Sequence, residues 1–423
     1  MPVCVEQYLY WDNTYNMYTL GIYIYIALVR LCALLGYKKA QQKLAGHERI
    51  YATLKEKLQP DAKYLWFHAS SVGEFEQGRP FMELLRSKHP EYRVVLTFFS
   101  PSGYEAAKKY QNADVVCYIP FDTPANADIF LEWVQPQMAF FIKNDIWKNF
   151  LAALHGRGIP TYSISSSFNK SQVFFKPWGI FCRRALRYFT RLFVRDPESK
   201  ELLNSIDVTN VTVVGDARFD RIVKINSMVR QLPLVESFVD GGKNIYVAGN
   251  AFSLDDEVVA PYFNSTSGWK VIIAPSSIDE LRLKEIEAAF AGHCVRYSQT
   301  TMDEARIADC LIIDCIGLLS SLYRYGDVAY VGGAFDYGVY NLLEAAVCEV
   351  PVIFGPYKKV DEDAEKLKEC GGGFEVASSM EFCEVMQSLA NNPSRLQRAA
   401  AASGKFVTEN SGVAQKILST IKF

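Results

Sequence analysis

The chain has 423 residues, of which 49% are hydrophobic and 22% are charged, and its formal net charge is -2. This composition is typical of a folded globular protein, and the length predicts two domains plus an appendage. The near-neutral charge excludes the basic field of a protein whose whole surface binds nucleic acid, so no nucleic-acid partner is expected.

Cysteine and histidine spacing argues against disulfides and metals. The ten cysteines form no CxxC pair, and the five histidines show no HExxH spacing. Such scattered cysteines are typical of buried, reduced thiols in a cytosolic body. The missing ligand spacings predict that the chain holds no metal, and no cofactor is expected.

The first predicted element is the apolar stretch YNMYTLGIYIYIALVRLCALLGY at residues 15–37. It is close to the roughly 20 residues of a membrane span, although Arg30 interrupts it. Three lysines follow within residues 38–43 and two acids precede it, so the positive-inside rule places the rest of the chain in the cytoplasm. We expect a membrane-attached helix that either spans the bilayer or lies in its interface. The alternative is a tyrosine-rich helix buried in a core.

Past residue 60, short apolar runs alternate with amphipathic stretches, which predicts parallel sheets covered by helices. The predicted strands of a first series are 64–69, 93–98, 114–118, 138–142, 160–164, 192–195 and 211–214. Those of a second series are 244–248, 270–274, 310–314, 327–331 and 351–354. The helical patterns in the first series are 80–88, 102–111, 124–134 and 146–156. The chain is therefore expected to form two doubly wound, Rossmann-like α/β domains.

Pro233 and the pair Gly241-Gly242 mark a junction between the two series. The predicted division is a membrane-attached segment at 1–45, a first domain at 46–223, a second domain at 224–403 and a C-terminal helix at 404–423 that packs back on the first domain. In doubly wound sheets, ligands bind at the carboxyl ends of the strands. Three stretches of this chain carry polar residues there.

The first stretch is HASSVGEFEQGRP, in which Ser71 and Glu74 fit the S-x-x-E pattern of a helix capping box. The functional alternative is a carboxylate at the binding edge of the sheet that accepts a proton from a hydroxyl group. Gly73 would let the backbone approach a ligand closely. The sequence leaves both interpretations open.

The second stretch is FFIKNDIWKNF, where a strand ends at Lys143-Asn144-Asp145. Lys143 is suited to holding an anion and Asp145 to orienting a hydroxyl group. The alternative is a solvated loop in which Asp145 caps the next helix and Trp147 belongs to the core.

The third stretch is VGGAFDYGVYNLLEAAVCEVPVIFGPYKK. A strand enters Gly332-Gly333, and a helix is predicted to begin near Asn341 with Glu344 on the same face. Glycine-rich turns that enter a helix are suited to phosphate binding, and a carboxylate one turn later can bind a ribose diol. The alternative is a helix cap stabilised by Glu344. The chain contains neither GxGxxG nor GxxxxGK[ST], which disfavours Rossmann dehydrogenases and P-loop enzymes.

Together these stretches resemble the 3-deoxy-D-manno-octulosonic acid (Kdo) transferases of lipopolysaccharide biosynthesis. The likeness covers most of the chain and includes the runs GIPTYSISSSF, VVGDARFDRI and VAGN. The combination of SVGE near the start with GG, NxxE and PVxFGP near the end is specific. The runs GEFEQGRP, GDARFDR and FGPYKK are similar to those of the Bacteroidetes branch of the family.

The resemblance implies a GT-B glycosyltransferase fold, in which two Rossmann-like domains flank an active-site cleft. It implies an inverting, metal-independent transfer of Kdo from CMP-Kdo to a lipid A precursor, lipid IVA, at the cytoplasmic face of the cell inner membrane. The first domain would bind the acceptor and the second the nucleotide sugar.

Site residues follow from the same resemblance. Glu74 would be the general base, with Asp145 as a second catalytic carboxylate. The implied donor-binding residues are Arg218, Gly249, Asn250, Ser276, Gly332, Gly333, Asn341 and Glu344. The implied acceptor-binding residues are Ser71, Gly73 and Lys143.

Several positions depart from the family pattern. Asp145 stands where most of the family has glutamate, and Ser276 and Ser277 stand where a cation is usual. Tyr340 stands where the family often has histidine, and Asn250 where it usually has serine. Two alternatives therefore stay open: a GT-B transferase for another nucleotide sugar, and a catalytically impaired, membrane-tethered binding protein. A cytosolic NAD enzyme is disfavoured by the missing GxGxxG and by the apolar first segment.

Overall fold

The computed structural model describes residues 3–228, 230–335, 338–357 and 361–423. For residues 3–16, 180 and 181 it describes the backbone only. Four residues of the third stretch lie outside the described residues: Asp336, Tyr337, Lys358 and Lys359. The chain folds into two compact units. The first unit contains the residues up to Arg221 together with Gly412–Phe423, and the second contains Ile222–Ser411.

The first unit contains α1 (Val3–Leu34), α2 (Lys38–Glu48), α3 (Ile50–Lys57), β1 (Lys63–Ala69), α4 (Val72–Lys88), β2 (Tyr92–Phe98), α5 (Pro101–Ala107), β3 (Val115–Tyr118), α6 (Pro124–Val134), β4 (Pro136–Ile142), α7 (Lys148–Gly156), β5 (Thr161–Ser166), the 3₁₀ turns Val173–Phe175 and Pro177–Gly179, α8 (Ile180–Leu186), β6 (Arg191–Val194), α9 (Pro197–Asn204), β7 (Val211–Val213) and the start of α10 (Ala217–Ser227).

The second unit contains α11 (Pro233–Val239), β8 (Asn244–Ala251), α12 (Ser253–Ser265), β9 (Trp269–Pro275), α13 (Glu280–Ala289), β10 (Cys294–Arg296), α14 (Met302–Ile307), β11 (Cys310–Ile312), α15 (Leu319–Leu322), the 3₁₀ turn Tyr323–Tyr325, β12 (Val328–Val331), α16 (Leu342–Ala346), β13 (Val352–Phe354), α17 (Glu362–Glu369), β14 (Gly373–Glu375), α18 (Ser379–Ala390) and α19 (Pro393–Asn410). The last helix, α20 (Val413–Thr420), belongs to the first unit.

Each unit is built on a seven-stranded sheet whose described pairings are all parallel. The strand orders are β3-β2-β1-β4-β5-β6-β7 and β10-β11-β9-β8-β12-β13-β14. The neighbouring inner strands β1 and β4 are buried on both faces: Trp66 of β1 and Phe141 of β4 belong to the core cluster on one face, and Phe67 of β1 and Phe140 of β4 to that on the other. Strands covered by helices on both faces need such continuous apolar runs, which is why the sequence pattern could be recognised. The prediction of two doubly wound α/β units is confirmed.

The C-terminal stretch differs from its prediction as one helix over 404–423. Helix α19 ends at Asn410 and α20 begins at Val413, because Gly412 adopts a left-handed φ of 83° between them. The Asp220 carboxylate accepts backbone amides of residues 412–414 at 2.6 to 3.1 Å, and so caps α20. Only residues 412–423 belong to the first unit, while the end of α19 belongs to the second.

Helix α1 includes one stretch, Met17–Leu34, that is long and apolar enough to cross a membrane, with a mean hydropathy of 1.7. Most of its apolar side chains are exposed, among them Leu20, Ile24, Leu28 and Leu31. The alternative of a helix buried in a core is therefore wrong for the described side chains. The cysteines are unpaired in the described part of the chain, but only Cys117 and Cys310 are buried, so the prediction of generally buried thiols is also wrong.

Candidate active site

The predicted site residues gather where each sheet changes its winding direction. In the first unit, β1 pairs with β2 on one side and with β4 on the other. In the second unit, β8 pairs with β9 and with β12. Residues 70–74 follow β1, and residues 143–145 follow β4. Ligands of open α/β sheets bind at such switch points, at the carboxyl ends of the strands.

Glu74 takes part in a capping box, as the S-x-x-E pattern predicts. The Ser71 hydroxyl accepts the Glu74 amide at 3.4 Å, and Glu74 Oε2 accepts the Ser71 amide at 3.1 Å. Oε2 also accepts the amide of Ser70 at 2.6 Å. Within the described ranges, no amide, hydroxyl or ammonium group donates to Oε1. One carboxylate oxygen therefore caps α4, and the other accepts no backbone amide among the described residues.

Asp145 lies against the same backbone amide. Its Oδ2 accepts the Ser70 amide at 2.9 Å, and its Oδ1 accepts the Ser70 hydroxyl at 2.8 Å. The alternative in which Asp145 caps α7 is wrong, because the helix begins at Lys148 with Trp147 in the cap position. The two carboxylates are thus held together by Ser70, which sequence reasoning did not single out.

Burial and the neighbouring charge of Glu74 raise the pKa of Asp145 to about 7, against the two hydrogen bonds from Ser70, which lower it. Two carboxyl groups in contact cannot both ionise easily, so such a pair tends to retain one proton near neutral pH. The pair can therefore hold a proton on Asp145 while Glu74 stays available as a base.

His68 supports this pair from the buried side. Its Nε2 lies 3.5 Å from Asp145 Oδ2, and its Nδ1 lies 2.9 Å from the Thr97 hydroxyl, which also accepts Trp66 Nε1 at 2.8 Å. Burial lowers the pKa of His68 to about 3, so the ring is neutral. A neutral imidazole can donate to Asp145 or accept from it, depending on which of its two nitrogens carries the proton.

Two buried nitrogens beside Asp145 have no hydrogen-bond partner among the described residues, His68 Nε2 and Trp147 Nε1. The two rings meet edge to face, with their centroids 5.5 Å apart. Buried polar atoms are almost always paired in native proteins, so unpaired ones at a ligand edge call for an explanation. Both nitrogens are suited to a bound hydroxyl group or water that joins the carboxylate pair.

A pocket of about 290 Å³ opens beside these strands in the first unit. Its lining residues are Gln77, Lys143, Ser165, Ser167, Arg195, Asp216 and Arg218. Asp216 binds Arg218 Nε at 2.8 Å and lies 3.5 Å from Arg195 Nη1, so one carboxylate faces two guanidinium groups. With Lys143 added, the pocket has an excess of positive charge and is suited to an anionic group.

Backbone conformation also marks this edge. Lys143 and Ser165 have φ values of 61° and 59°, a left-handed region that residues with side chains seldom adopt. The Lys143 carbonyl accepts the hydroxyls of Ser163 and Ser166 at 3.0 and 2.8 Å, which fixes the turn. Strained residues of this kind are concentrated at functional sites.

The second unit brings three of its predicted residues to one edge. Gly249 and Asn250 lie in β8, and the Ser276 amide donates to the Ala251 carbonyl at 3.0 Å. A Cβ atom on Gly249 would overlap the hydroxyl of Tyr323, so this position requires glycine. Asn250 has a φ of 53°, which repeats at the second sheet the strain seen at Lys143.

The Gly332-Gly333 turn is held by Asp255, a buried carboxylate that sequence reasoning missed. Asp255 Oδ2 accepts the Gly333 amide at 3.0 Å and the Phe252 amide at 2.9 Å, and Oδ1 accepts the Tyr330 hydroxyl at 2.7 Å. Burial raises the pKa of Asp255, against the effect of these bonds. The Gly332 amide donates to the Gly249 carbonyl at 2.9 Å, so the two glycine turns adjoin.

Asn341 and Glu344 pair as their spacing predicts, with Asn341 Nδ2 donating to Glu344 Oε1 at 2.9 Å. Asn341 is in the N-cap position of α16, but its side chain caps no amide. Burial raises the pKa of Glu344, and the bond from Asn341 lowers it. The side-chain amide and the carboxylate therefore form one polar patch at the start of a five-residue helix.

The structure thus collects the predicted residues in two groups. Ser71, Gly73, Glu74, Lys143 and Asp145 lie in the first unit, as does Arg218, which had been assigned to the donor. The other predicted donor residues lie in the second unit: Gly249, Asn250, Ser276, Gly332, Gly333, Asn341 and Glu344. In the part of the chain that the structure describes, no cluster of three or more His, Cys, Asp or Glu residues is arranged to hold a metal ion.

Comparison with known proteins identifies relatives of both units. Residues 44–221 match a family profile described as 3-deoxy-D-manno-octulosonic-acid transferase (kdotransferase). The chain is 28% identical to the 3-deoxy-D-manno-octulosonic acid transferase of Aquifex aeolicus, over 79% of this chain and 88% of that protein. It is 29% identical to that of Chlamydophila psittaci over 73% of each, and 22% identical to that of Haemophilus influenzae over 95% of this chain and 98% of that protein.

Solved structures with the same fold include a UDP-GlcNAc 2-epimerase from Neisseria meningitidis bound to UDP-GlcNAc, with a TM-score of 0.59 and 15% identity over 85% of this chain and 99% of that one. MurG from Acinetobacter baumannii aligns with a TM-score of 0.53 and 12% identity over 85% and 99% of the two chains. At these identities the likeness shows the fold alone, which is the two-unit GT-B architecture.

Proposed function

Because the chain belongs to the 3-deoxy-D-manno-octulosonic acid (Kdo) transferase family, we propose that it transfers Kdo from CMP-Kdo to a lipid A precursor, lipid IVA. The chain is a glycosyltransferase with the GT-B fold. The transfer inverts the sugar and needs no metal ion. The observation that carries the proposal is the carboxylate pair of Glu74 and Asp145 at the switch point of the first sheet.

Glu74 acts as the general base. It takes the proton of the acceptor hydroxyl as the new glycosidic bond forms, and the bond between the sugar and the CMP phosphate breaks on the opposite side. Asp145 holds its own proton near neutral pH because burial and the Glu74 charge raise its pKa to about 7. The two carboxyl groups then take different roles, since one stays a base while the other donates a hydrogen bond.

The second unit binds the nucleotide. The amides of the Gly332-Gly333 turn, which Asp255 fixes, lie beside the Gly249-Asn250 loop. Glu344 and Asn341 offer a carboxylate and an amide for the ribose hydroxyls. The departures at Ser276, Ser277 and Tyr340 leave this edge with neutral side chains where the family has cations.

The cationic pocket of Lys143, Arg195 and Arg218 receives an anionic group of a substrate. CMP-Kdo carries a carboxylate and a phosphate, and lipid IVA carries phosphates. Positive charge held in place beforehand stabilises negative charge that develops in the transition state. Asp216 fixes the two guanidinium groups, and Arg195 also lies 3.5 Å from Asp196, so Lys143 is the further cation that lines the pocket.

Helix α1 keeps the enzyme at the cytoplasmic face of the inner membrane, where the lipid acceptor resides. Its stretch Met17–Leu34 has the length and hydropathy that membrane attachment requires. Confining enzyme and acceptor to one surface raises their effective concentration.

Two observations favour the alternatives strongly enough to test. The neutral side chains of Ser276 and Tyr340 favour a different nucleotide sugar. The two amides already bound to Glu74 Oε2 favour a binding protein without turnover.

Purified protein should be incubated with lipid IVA and one donor at a time: CMP-Kdo generated in place, UDP-GlcNAc or UDP-glucose. We expect a lipid product with CMP-Kdo and none with the UDP-sugars, and we expect the CMP-Kdo product to form in the presence of a chelator as well. Product from a UDP-sugar instead would contradict the proposed donor, and no product from any donor would favour the binding protein.

A further inference from the structure

Helix α1 lies along the first unit rather than projecting from it. Its less exposed positions recur every three or four residues: Tyr18, Thr19, Ile22, Tyr25, Ile26, Val29, Cys32 and Ala33. This spacing defines one face of an α-helix. These eight positions lie within a span of sixteen residues, so one side of α1 is covered over a length of roughly 24 Å at 1.5 Å per residue.

A buried carboxylate binds the first turns of this face. The Tyr18 hydroxyl donates to Asp122 Oδ2 at 2.6 Å. Asp122 is only 1% exposed, and it also accepts the backbone amides of Asn149 and Phe150 at 3.2 and 2.9 Å. Detaching α1 would leave Asp122 without one of its three donors, which opposes a free position of the helix.

A buried amino group binds the middle of the same face. Lys43 Nζ donates to the Tyr25 hydroxyl at 2.8 Å and lies 3.0 Å from the centre of the Phe99 ring. Burial lowers the pKa of Lys43 to about 7. The Tyr25 ring stacks on Phe99 and meets Phe121 edge to face. Polar and aromatic contacts therefore fix α1 against the unit at two separate points.

This packing is incompatible with a spanning helix. A spanning helix lies within the roughly 30 Å hydrocarbon core along its length, whereas one side of α1 is covered along most of its apolar stretch by a unit whose parallel sheet and polar loops belong in water. A helix with one covered face and one apolar face is suited to lie in the plane of the interface. The exposed apolar residues of α1 are Met17, Leu20, Tyr23, Ile24, Leu28, Leu31, Leu34 and Leu35.

A second exposed apolar element lies nearby, in residues 170–187. Val173 and Trp178 are 40% and 69% exposed on the two 3₁₀ turns before α8. Helix α8 packs on α7, and the first residues of α7 contact α1, because Lys148 Nζ lies 5.6 Å from the Tyr18 ring. The charge of Arg184 on α8 also acts on Lys148. The two exposed elements therefore flank the start of α7.

Both elements come from stretches without a single carboxylate. No Asp or Glu occurs in residues 13–47 or 146–195, although the chain as a whole has 47 acids and a net charge of -2. The second stretch carries these basic residues: Lys148, Arg157, Lys170, Lys176, Arg183, Arg184, Arg187, Arg191 and Arg195. Arg157, Arg187 and Arg195 lie within 4 Å of carboxylates from other stretches, namely Asp128, Asp207 and Asp216. Arg183 donates to the carbonyls of Phe174 and Lys176, which orders the turns, and among the described residues it forms no ion pair. Basic side chains such as Lys170, Lys176 and Arg183 beside apolar ones are complementary to an anionic lipid surface.

We propose that the exposed face of α1 and the segment 170–187 dock together on an anionic phospholipid surface, with α1 lying flat in the interface and not crossing the bilayer. This inference rests on the membrane attachment proposed above and not on the transfer chemistry. It settles on one of the two orientations that the sequence leaves open.

The orientation is tested with an epitope tag at the amino terminus of the full chain. Externally added protease is applied to intact spheroplasts and to inverted membrane vesicles. A flat α1 keeps the tag on the same side as the folded units, so we expect the tag to survive in spheroplasts and to be cleaved in inverted vesicles. Cleavage of the tag in intact spheroplasts would overturn the flat orientation.

The second contact is tested by flotation of the full chain with vesicles that do or do not contain phosphatidylglycerol. The double variant Lys170→Glu/Lys176→Glu should bind anionic vesicles at least tenfold more weakly, since each basic residue at such a surface contributes about fivefold. The matched control Lys55→Glu/Lys109→Glu reverses two exposed lysines outside this surface and should bind like the parent. If both double variants lost vesicle binding equally, or if Lys170→Glu/Lys176→Glu lost none, the proposed role of segment 170–187 would be overturned. Neither readout depends on transferase activity.

Discussion

The side chain of Glu74 has two roles that a single substitution can separate. Glutamine is as suitable as glutamate at the third position of a capping box, but it cannot act as a base. Glu74→Gln should therefore fold like the parent and lose activity by about 100-fold to 10,000-fold, the usual contribution of a general base. The measurement is kcat with CMP-Kdo and lipid IVA, together with the thermal unfolding midpoint.

A matched control exists in the second unit. Thr301 and Glu304 form another capping box, in which Glu304 Oε2 accepts the Thr301 amide at 2.9 Å. Glu304→Gln makes the same chemical change at an exposed helix start and should leave kcat unchanged. If both variants kept full activity, Glu74 would be a structural cap and no base.

The ionisation of Asp145 predicts how stability depends on pH. Because burial and Glu74 raise its pKa to about 7, the folded state keeps a proton that the unfolded chain releases near pH 4. Stability from this group is present below pH 4 and is lost as the pH rises through 7. Asp145→Asn cannot ionise, so its unfolding midpoint should rise relative to the parent at pH 8 but not at pH 4.

Asp114 provides the opposite case. Burial acts against its charge, but the hydrogen bond and charge of Arg86 prevail and hold the pKa of Asp114 below its usual range. Its stabilisation is present above its ordinary pKa and is lost as the pH falls through the lowered value. Asp114→Asn should therefore destabilise more at pH 8 than near pH 2, which lies below the ordinary pKa of an aspartate. For Asp145→Asn, a change in the unfolding midpoint that is the same at pH 4 and pH 8 would contradict the proton held by the Asp145 and Glu74 pair.

At the residue scale, local patterns were predictable and long-range contacts were not. The capping box at Ser71 and the pair Asn341–Glu344 lie within one helical turn, so their spacing carries the information. Asp145 meets Ser70 across 75 positions, and no local pattern indicates that contact. His68 and Asp255 were missed for the same reason, because each lies in a stretch that looks like ordinary core or helix start.

Gly73, near the start of helix α4, can be substituted to test acceptor binding without disturbing the fold. A Cβ atom on Gly73 would have no heavy atom within 4 Å, so the fold does not require glycine there. Gly73→Ala should keep or increase the unfolding free energy, because alanine favours a helix by up to about 1 kcal/mol. If an acceptor approaches this turn, the KM for lipid IVA should rise about tenfold, which corresponds to about 1.4 kcal/mol.

Gly156 in α7 is the matched control, since a Cβ atom there also meets nothing within 4 Å. Gly156→Ala should leave the KM for lipid IVA unchanged. An unchanged KM in Gly73→Ala as well would remove Gly73 from the acceptor site.

The turn after β12 depends on Asp255. Asp255→Asn places an amide nitrogen among three donors, so the second unit should lose about 1 to 3 kcal/mol of unfolding free energy. Because the Gly332-Gly333 turn would lose its fixed position, the KM for CMP-Kdo should rise more than the KM for lipid IVA. Asp303→Asn, in the exposed first turn of α14, is the control and should change neither value. A rise in the KM for lipid IVA alone would contradict the donor role of this turn.

At the scale of elements, all strands of the first sheet were predictable, whereas the two edge strands of the second sheet were not. The central strands of both sheets appear within a few residues of their predicted bounds. The missed strands β10 and β14 have three residues each and lie at the two edges of the second sheet. Length alone is not the reason, because the three-residue strands β7, β11 and β13 were predicted from apolar or β-branched runs. The missed strands include Arg296 in β10 and Gly373 and Glu375 in β14, which interrupt such a run. The break between α19 and α20 depends on Gly412 and on Asp220, which is distant in sequence.

At the scale of the whole molecule, the sequence predicted two parallel α/β units and an apolar first helix, and both are present. The flat orientation proposed for α1 rests on its contacts with Asp122 and Lys43, which only the folded unit brings together. The transferase assignment depends on motifs in both units, SVGE in the first and NxxE in the second. Each unit alone would therefore leave the activity undetermined.

The most direct test of the transferase assignment is the mass of the lipid after reaction. Purified full-length protein is incubated with tetra-acylated lipid IVA, CMP-Kdo generated in place and a chelator, and Glu74→Gln is treated in parallel. We predict that the parent increases the mass of lipid IVA by one or more whole Kdo residues, and that Glu74→Gln leaves nearly all of it unchanged. An unmodified lipid with the parent protein, under conditions in which CMP-Kdo is present throughout, would contradict the account.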